Sequence, residues 1–163
     1  MVAANRRTGE KGQRTSRSKD AYQEKGGVKG NAYCLCGTLF RNKRWCHDES
    51  DPDQQEGHEL VCPACRRVAD RNPAGIAFLS GDYYAAHETE ILNQIMNTTL
   101  AAISKNPLGR VMEIRQEKNS VTIATTDVKL AQKIGRDVFK SQGGELHYIW
   151  GQAENPVRVT WSR

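Results

Sequence analysis

The chain has 163 residues, of which 37% are hydrophobic and 7% aromatic, and a formal net charge of +5. That apolar fraction is thin for one packed body, so part of the chain is expected not to fold, and the length suits one domain or two small ones with a tail. No run reaches the roughly 18 consecutive apolar residues of a membrane span, and residues 1–30 lack the apolar stretch of a secretory signal. The chain therefore reads as cytoplasmic, where five cysteines favour a metal over disulfides.

The charge is concentrated at the start. Residues 1–30 hold eight basic and three acidic side chains, which accounts for the whole +5, and the rest is balanced. This stretch is rich in Gly, Ser, Thr, Gln and basic residues, with too little apolar surface to offset its ordering entropy. It is expected to be a disordered basic tail. It would act either as a solubiliser or as an arm lying along phosphates, which gains affinity by releasing counterions.

Residues 31–72 read as a zinc ribbon. Cys34 and Cys36, followed by Gly37, form the first knuckle, and Cys62, Pro63, Ala64 and Cys65 form the second. Thiolates are soft donors, and two close pairs supply the four ligands of a tetrahedral Zn2+ site. Gly37 permits the tight turn that aims backbone N–H groups at the sulfurs. The first pair is C-x-C rather than the commoner C-x-x-C, so Cys46 and His47 stand as substitutes, although Cys46 is most simply an unused thiol. Four thiolates close the shell, which argues for a structural rather than a catalytic ion. Residues 38–40 and 58–61 look like the two strands of a hairpin.

Arg41, Lys43 and Arg44 flank the first knuckle, and Arg66 and Arg67 follow the second. Asp48, Glu49, Asp51, Asp53, Glu56 and Glu59 make an acidic loop between them. With Arg6, Arg7, Lys11, Arg14 and Arg17 of the tail, these cations are the candidate phosphate contacts. Trp45 and Phe40 would either stack on bases or cover a thin core.

Residues 73–163 read as an α+β domain. After the Pro/Gly-rich turn at 70–75 comes a short apolar run, 75–79, that suits a strand. Asp82 is the expected cap of a helix over 83–104, whose Ile91, Leu92, Ile95, Met96, Leu100 and Ile103 recur at helical spacing. Asn106 and Pro107 end it. Alternation over 110–116 and 120–125 predicts a β-hairpin. Thr126 and Asp127 start a second helix with Leu130, Ala131, Ile134 and Val138 on one stripe, stopped at Gly143 and Gly144. Leu146, Tyr148 and Trp150, then Val157, Val159 and Trp161, predict two last strands. The order is that of a split βαβ, ferredoxin-like sheet with both helices on one face and an extra strand at its edge. The paired aromatics of an RNA-stacking platform are absent from 121–125, and the late aromatic stripe reads as core.

Catalysis finds little support. His87 and His147 have no recognisable nucleophile beside them, and there is no phosphate-cradling G-x-x-x-x-G-K-[ST] loop. The basic stretch 105–110 is too weak a signal to replace it. No small-molecule substrate is evident.

The residues at 62–67, those at 70–75, Leu79 to Gly81, and Thr125, Thr126, Asp127, Leu130 and Ala131 together resemble small bacterial zinc-ribbon proteins. These are similar to the N-terminal half of the large-ribosomal-subunit export adaptor, the Nmd family. The resemblance spans roughly residues 32–163. It implies a zinc module held by Cys34, Cys36, Cys62 and Cys65 that binds the ribosome or rRNA, and a ribosomal protein as a further partner. The C-x-C pair departs from that family, and the chain ends without the adaptor's later domains, so nuclear export is not expected. The leading expectation is a non-enzymatic zinc-ribbon protein that binds the ribosome or structured RNA. The alternative is a regulatory adaptor docking a protein partner through the ribbon and its acidic loop.

Overall fold

The computed structural model describes residues 6–7, 22–47, 57–150 and 156–163. It is a mixed α+β protein with two sheets and four helices. The tail residues Lys11, Arg14 and Arg17 and the acidic residues 48–56 lie outside the described residues, and Arg6 and Arg7 enter as backbone only.

In chain order the elements begin with β1 (Arg6–Arg7), β2 (Ala32–Tyr33), β3 (Leu39–Arg41), β4 (Arg44–Cys46), β5 (His58–Glu59) and α1 (Pro63–Asp70). The smaller sheet has the order β4-β3-β2-β5. β3 pairs antiparallel with both β2 and β4, while β5 adds to β2 in parallel. The expected hairpin between 38–40 and 58–61 is therefore not formed. Asn42 and Lys43, at φ of 51° and 63°, close β3 onto β4 through a two-residue turn. Two left-handed residues give the turn twist that matches a hairpin, and closing a short loop costs less entropy than closing one across the acidic stretch. Pro63 sits where a helix tolerates proline best, at its first turn, and Arg71 in the left-handed conformation ends α1.

The remaining elements are β6 (Gly75–Ser80), α2 (Asp82–Ala86), α3 (Glu88–Lys105), β7 (Val111–Glu117), β8 (Ser120–Thr125), α4 (Val128–Gln142), β9 (Glu145–Ile149) and β10 (Val157–Ser162). The expected long helix is split at His87, and Gly81 rather than Asp82 occupies its cap position. The larger sheet runs β1-β9-β10-β6-β8-β7. Here the expected order fails: the last strand is not at an edge but lies between β9 and β6, parallel to β6 and antiparallel to β9. The central position follows from its pattern, since Val157, Val159 and Trp161 are the inward residues of β10 and none is more than 7% exposed.

One face of this sheet is covered. α4 packs on β6, β8, β9 and β10, and α3 lies on α4. Leu130, Ala131, Ile134 and Val138 of α4 meet Ala77, Leu79, Val121, Ile123, Leu146, Val159 and Trp161 in one core. Tyr148 belongs to that core and Trp150 packs against it, so the aromatic stripe is structural. On the other face His147, Thr160, Phe78, Thr122 and Arg115 line up in register across five strands. α1 borders this face across a cavity of about 660 Å3, which Val68, Arg71, Ile76, Met112, Arg115 and Thr122 help to line.

Residues 22–30 belong partly to the folded body. The Tyr22 hydroxyl donates to the Asp70 carboxylate at 2.9 Å and accepts from the Asn72 amide at 3.1 Å. The Arg67 guanidinium lies 4.3 Å over the Tyr22 ring, and Glu24 pairs with Arg66. The expectation of disorder therefore does not extend to Tyr22 and Glu24.

Candidate metal centre

The first knuckle is built by local backbone bonds. The Cys34 N–H donates to the Thr38 carbonyl at 2.8 Å, and the Gly37 N–H to the Cys34 carbonyl at 2.9 Å. Gly37 has φ of 90°, which a side chain would strain. Leu35 points away from the cluster, 79% exposed, and of its two neighbours Cys34 is buried while Cys36 stays exposed, with both sulfurs facing the second knuckle. A C-x-C spacing can serve because Cys34 directly follows β2 while Cys36 already belongs to the turn.

The second knuckle is the start of α1. Cys62 is its N-cap, and its sulfur accepts the Cys65 N–H at 3.4 Å. The Cys62 N–H in turn donates to the Cys34 sulfur at 3.3 Å. The first turn of a helix presents unpaired N–H groups and the positive end of its dipole, both of which favour thiolates.

These turns bring Cys34, Cys36, Cys62 and Cys65 together, with all four sulfurs within 4.8 Å of one another. Cys34 to Cys65 and Cys36 to Cys62 are each 3.8 Å. A tetrahedron with metal–sulfur distances of about 2.3 Å has edges of about 3.8 Å, so the sulfurs are spaced for one ion. Among the described residues Cys46 and His47 stand outside this group. Cys46 lies on β4 opposite Leu39.

A residue from the α+β part completes the site. Arg110 directs its guanidinium at the cluster, with Nη2 at 3.1 Å from the Cys36 sulfur and 3.8 Å from that of Cys62, and Nη1 at 3.5 Å from that of Cys65. Nη2 also donates to the Thr38 hydroxyl at 2.8 Å, and Nε to the Pro107 carbonyl at 2.8 Å. Thr126 fixes the loop that carries it. The Arg110 N–H donates to the Thr126 hydroxyl at 2.9 Å, which itself donates to the Leu108 carbonyl at 2.5 Å. Leu108 and Trp45 pack against the apolar cluster of Cys34, Cys62 and Ala64.

The electrostatics of the cysteines diverge. Burial pushes the Cys36 thiol up, but hydrogen bonds from Thr38 and Arg110 outweigh it and hold the group at about 6, below its ordinary 9.0. Burial raises Cys62 and Cys65, and negative charge on Cys36 raises them further. The thiolates keep Arg110 firmly protonated against its own partial burial.

The candidate phosphate contacts divide. Lys43 and Arg44 are exposed at the β3–β4 turn, with Arg41 opposite Arg44. Arg66 donates to the Val61 carbonyl at 3.0 Å besides pairing with Glu24, and Arg67 donates to the Asn72 carbonyl at 3.2 Å under Tyr22. Both are thus engaged within the molecule. Phe40 is buried, and Trp45 meets it edge-on at 5.3 Å, so these rings cover the small core. His87 stacks on Tyr83 at 3.9 Å, and His147 lies 3.7 Å from Glu145 on the sheet face opposite α4.

Arg110 and Thr126 were not legible as site residues. Arg110 closes the basic stretch 105–110, whose charge faces sulfur instead of phosphate. No helix among the described residues is long and apolar enough to cross a membrane. No family model matches the chain, and neither the curated proteins nor the solved structures compared with it give a match.

Proposed function

We propose that this chain is a non-enzymatic zinc protein of the cytoplasm that binds structured RNA, with the ribosome or its rRNA as the principal target. The observation that carries the reading is the set of four cysteine sulfurs at tetrahedral spacing. An all-thiolate set selects a soft or borderline ion, and zinc is the one that holds such a shell without redox chemistry. When bound, zinc would supply folding free energy to a module with little core of its own. Cys34, Cys36, Cys62 and Cys65 would be its ligands, leaving no open position for a substrate.

Support for RNA comes from the shape of the β3–β4 hairpin. It carries Lys43 on its two-residue turn and Arg41 opposite Arg44 at the ends of the two strands, a narrow cationic tip that can follow a phosphate backbone. The resemblance to the ribosomal export adaptor family points the same way. The test is co-sedimentation with ribosomal subunits. Binding should fall steeply with salt and be lost in a variant carrying Arg41→Glu, Lys43→Glu and Arg44→Glu. Salt-insensitive binding, or binding that survives this triple reversal, would sink the RNA reading.

A second reading is an adaptor that docks a protein. One observation favours it: on the sheet face opposite α4 Phe78 is 37% and Ile149 56% exposed among the described residues. A partner captured after nuclease treatment, and lost on Phe78→Asp, would select this reading.

A further inference from the structure

We propose that Arg110 latches the α+β body onto the loaded metal centre, so that metal binding and the docking of the two parts are one coupled equilibrium. The inference rests on the reading that the four cysteines hold a divalent ion. Four thiolates around such an ion leave a net charge of about −2 in a partly buried place, and a charge there is costly without a partner. The small unit supplies backbone N–H groups to the sulfurs of Cys34 and Cys62. The cation comes from the other part of the chain, 74 residues beyond Cys36 in sequence.

Its approach is built. The Arg110 guanidinium reaches the sulfurs of Cys36, Cys62 and Cys65 and the hydroxyl of Thr38, so it spans both knuckles at once. The Pro107 carbonyl holds its Nε, which fixes the plane of the fork. Thr126 pins the same loop from the start of α4, and Leu108 adds an apolar contact to the cysteine cluster. A planar, permanently charged fork is the side chain suited to such a bridge. By linkage, whatever the docked state gains from the charged centre, the centre gains from docking. Arg110 is therefore a positioning and charge-balancing residue, not a ligand.

The experiment uses the full chain and zinc or cobalt ions. Competition with a chromogenic chelator should show Arg110→Gln weakening zinc binding about 10- to 100-fold, the usual cost of losing a partner that supports metal ligands. Arg110→Lys should recover part of this through its charge. In the cobalt-loaded protein Arg110→Gln should shift the sulfur-to-metal charge-transfer band, which loss of packing alone would not do. Amide exchange over residues 106–110 should slow on metal loading in the natural chain, and slow less in Arg110→Gln. Because Arg110 lies outside the main core, the variant's far-ultraviolet circular dichroism should stay unchanged and certify that it folds. Zinc affinity within twofold of the natural chain in Arg110→Gln overturns the latch, as does exchange over 106–110 that ignores the metal. A natural chain that binds no metal at all overturns instead the reading on which the latch rests.

Discussion

Cys62 does two things at once. It caps α1, and it places a sulfur 3.8 Å from that of Cys36 with its residue wholly buried. On the proposed zinc reading, Cys62→Ser should therefore drop zinc from about one ion per chain to nearly none and loosen the small sheet, whereas Cys46→Ser should leave the content unchanged. Elemental analysis of the two purified variants decides this. Cys36 sets a pH dependence for the metal-free chain. Its folded value of about 6 lies below its ordinary 9.0, so the native state releases the proton more readily. Its contribution is complete above pH 9 and is lost as the pH falls through 6. Cys62 and Cys65 are shifted upward, so their contribution is complete below pH 9 and is lost only above it. The melting temperature of the metal-free chain should thus rise between pH 6 and 9, and Cys36→Ser should flatten that rise. The four sulfurs were legible as a set because ligand chemistry needs little more than residue type and spacing. Arg110 was not, since nothing local tells a cation facing sulfur from one facing water.

At the scale of elements, periodicity found what it measures. The stripe Leu130, Ala131, Ile134 and Val138 marked α4, and Thr126 and Asp127 marked its start. The alternation of Val157, Val159 and Trp161 found β10 and its buried face. Period two names a strand's faces but not its neighbours, and so β10 was placed at an edge when it lies inside the sheet. α1 escaped notice because it has only 8 residues and one buried side chain, too few for a helical stripe to show. Gly135 carries a constraint of the same hidden kind. It lets α4 approach the sheet so closely that an added Cβ would lie 2.4 Å from Val159 Cγ1 and 3.1 Å from Leu146 Cδ1. An alanine normally favours a helix over glycine by about 1 kcal/mol, but overpacking a core costs about 1–3 kcal/mol. The clash should win because its target is a β-branched side chain on a central strand. Gly135→Ala is therefore expected to destabilise the protein by about 1 kcal/mol in urea unfolding, with Gly135→Val worse. An alanine variant more stable than the natural chain would mean that α4 can slide on the sheet.

At the scale of the molecule, the described cations beside the two knuckles do not form one surface. α1 faces the segment 22–30, and its two arginines are drawn into that contact, Arg66 by Glu24 and Arg67 by the Tyr22 ring. The hairpin cations instead stand at a turn, on the far side of the small sheet from β5. This division makes the RNA reading quantitative. Each cation that neutralises a phosphate adds about 0.7 to 0.9 to the slope of log affinity against log salt. Lys43→Ala and Arg44→Ala should each lower that slope by about one and weaken binding to all RNA sequences alike. Arg66→Ala should leave it unchanged, because its charge is already matched within the chain. The slopes follow from filter binding or sedimentation at several salt concentrations. If Arg66→Ala lowers the slope as much as Lys43→Ala does, RNA must pull Arg66 away from Glu24, and α1 rather than the hairpin would be the face that meets the backbone.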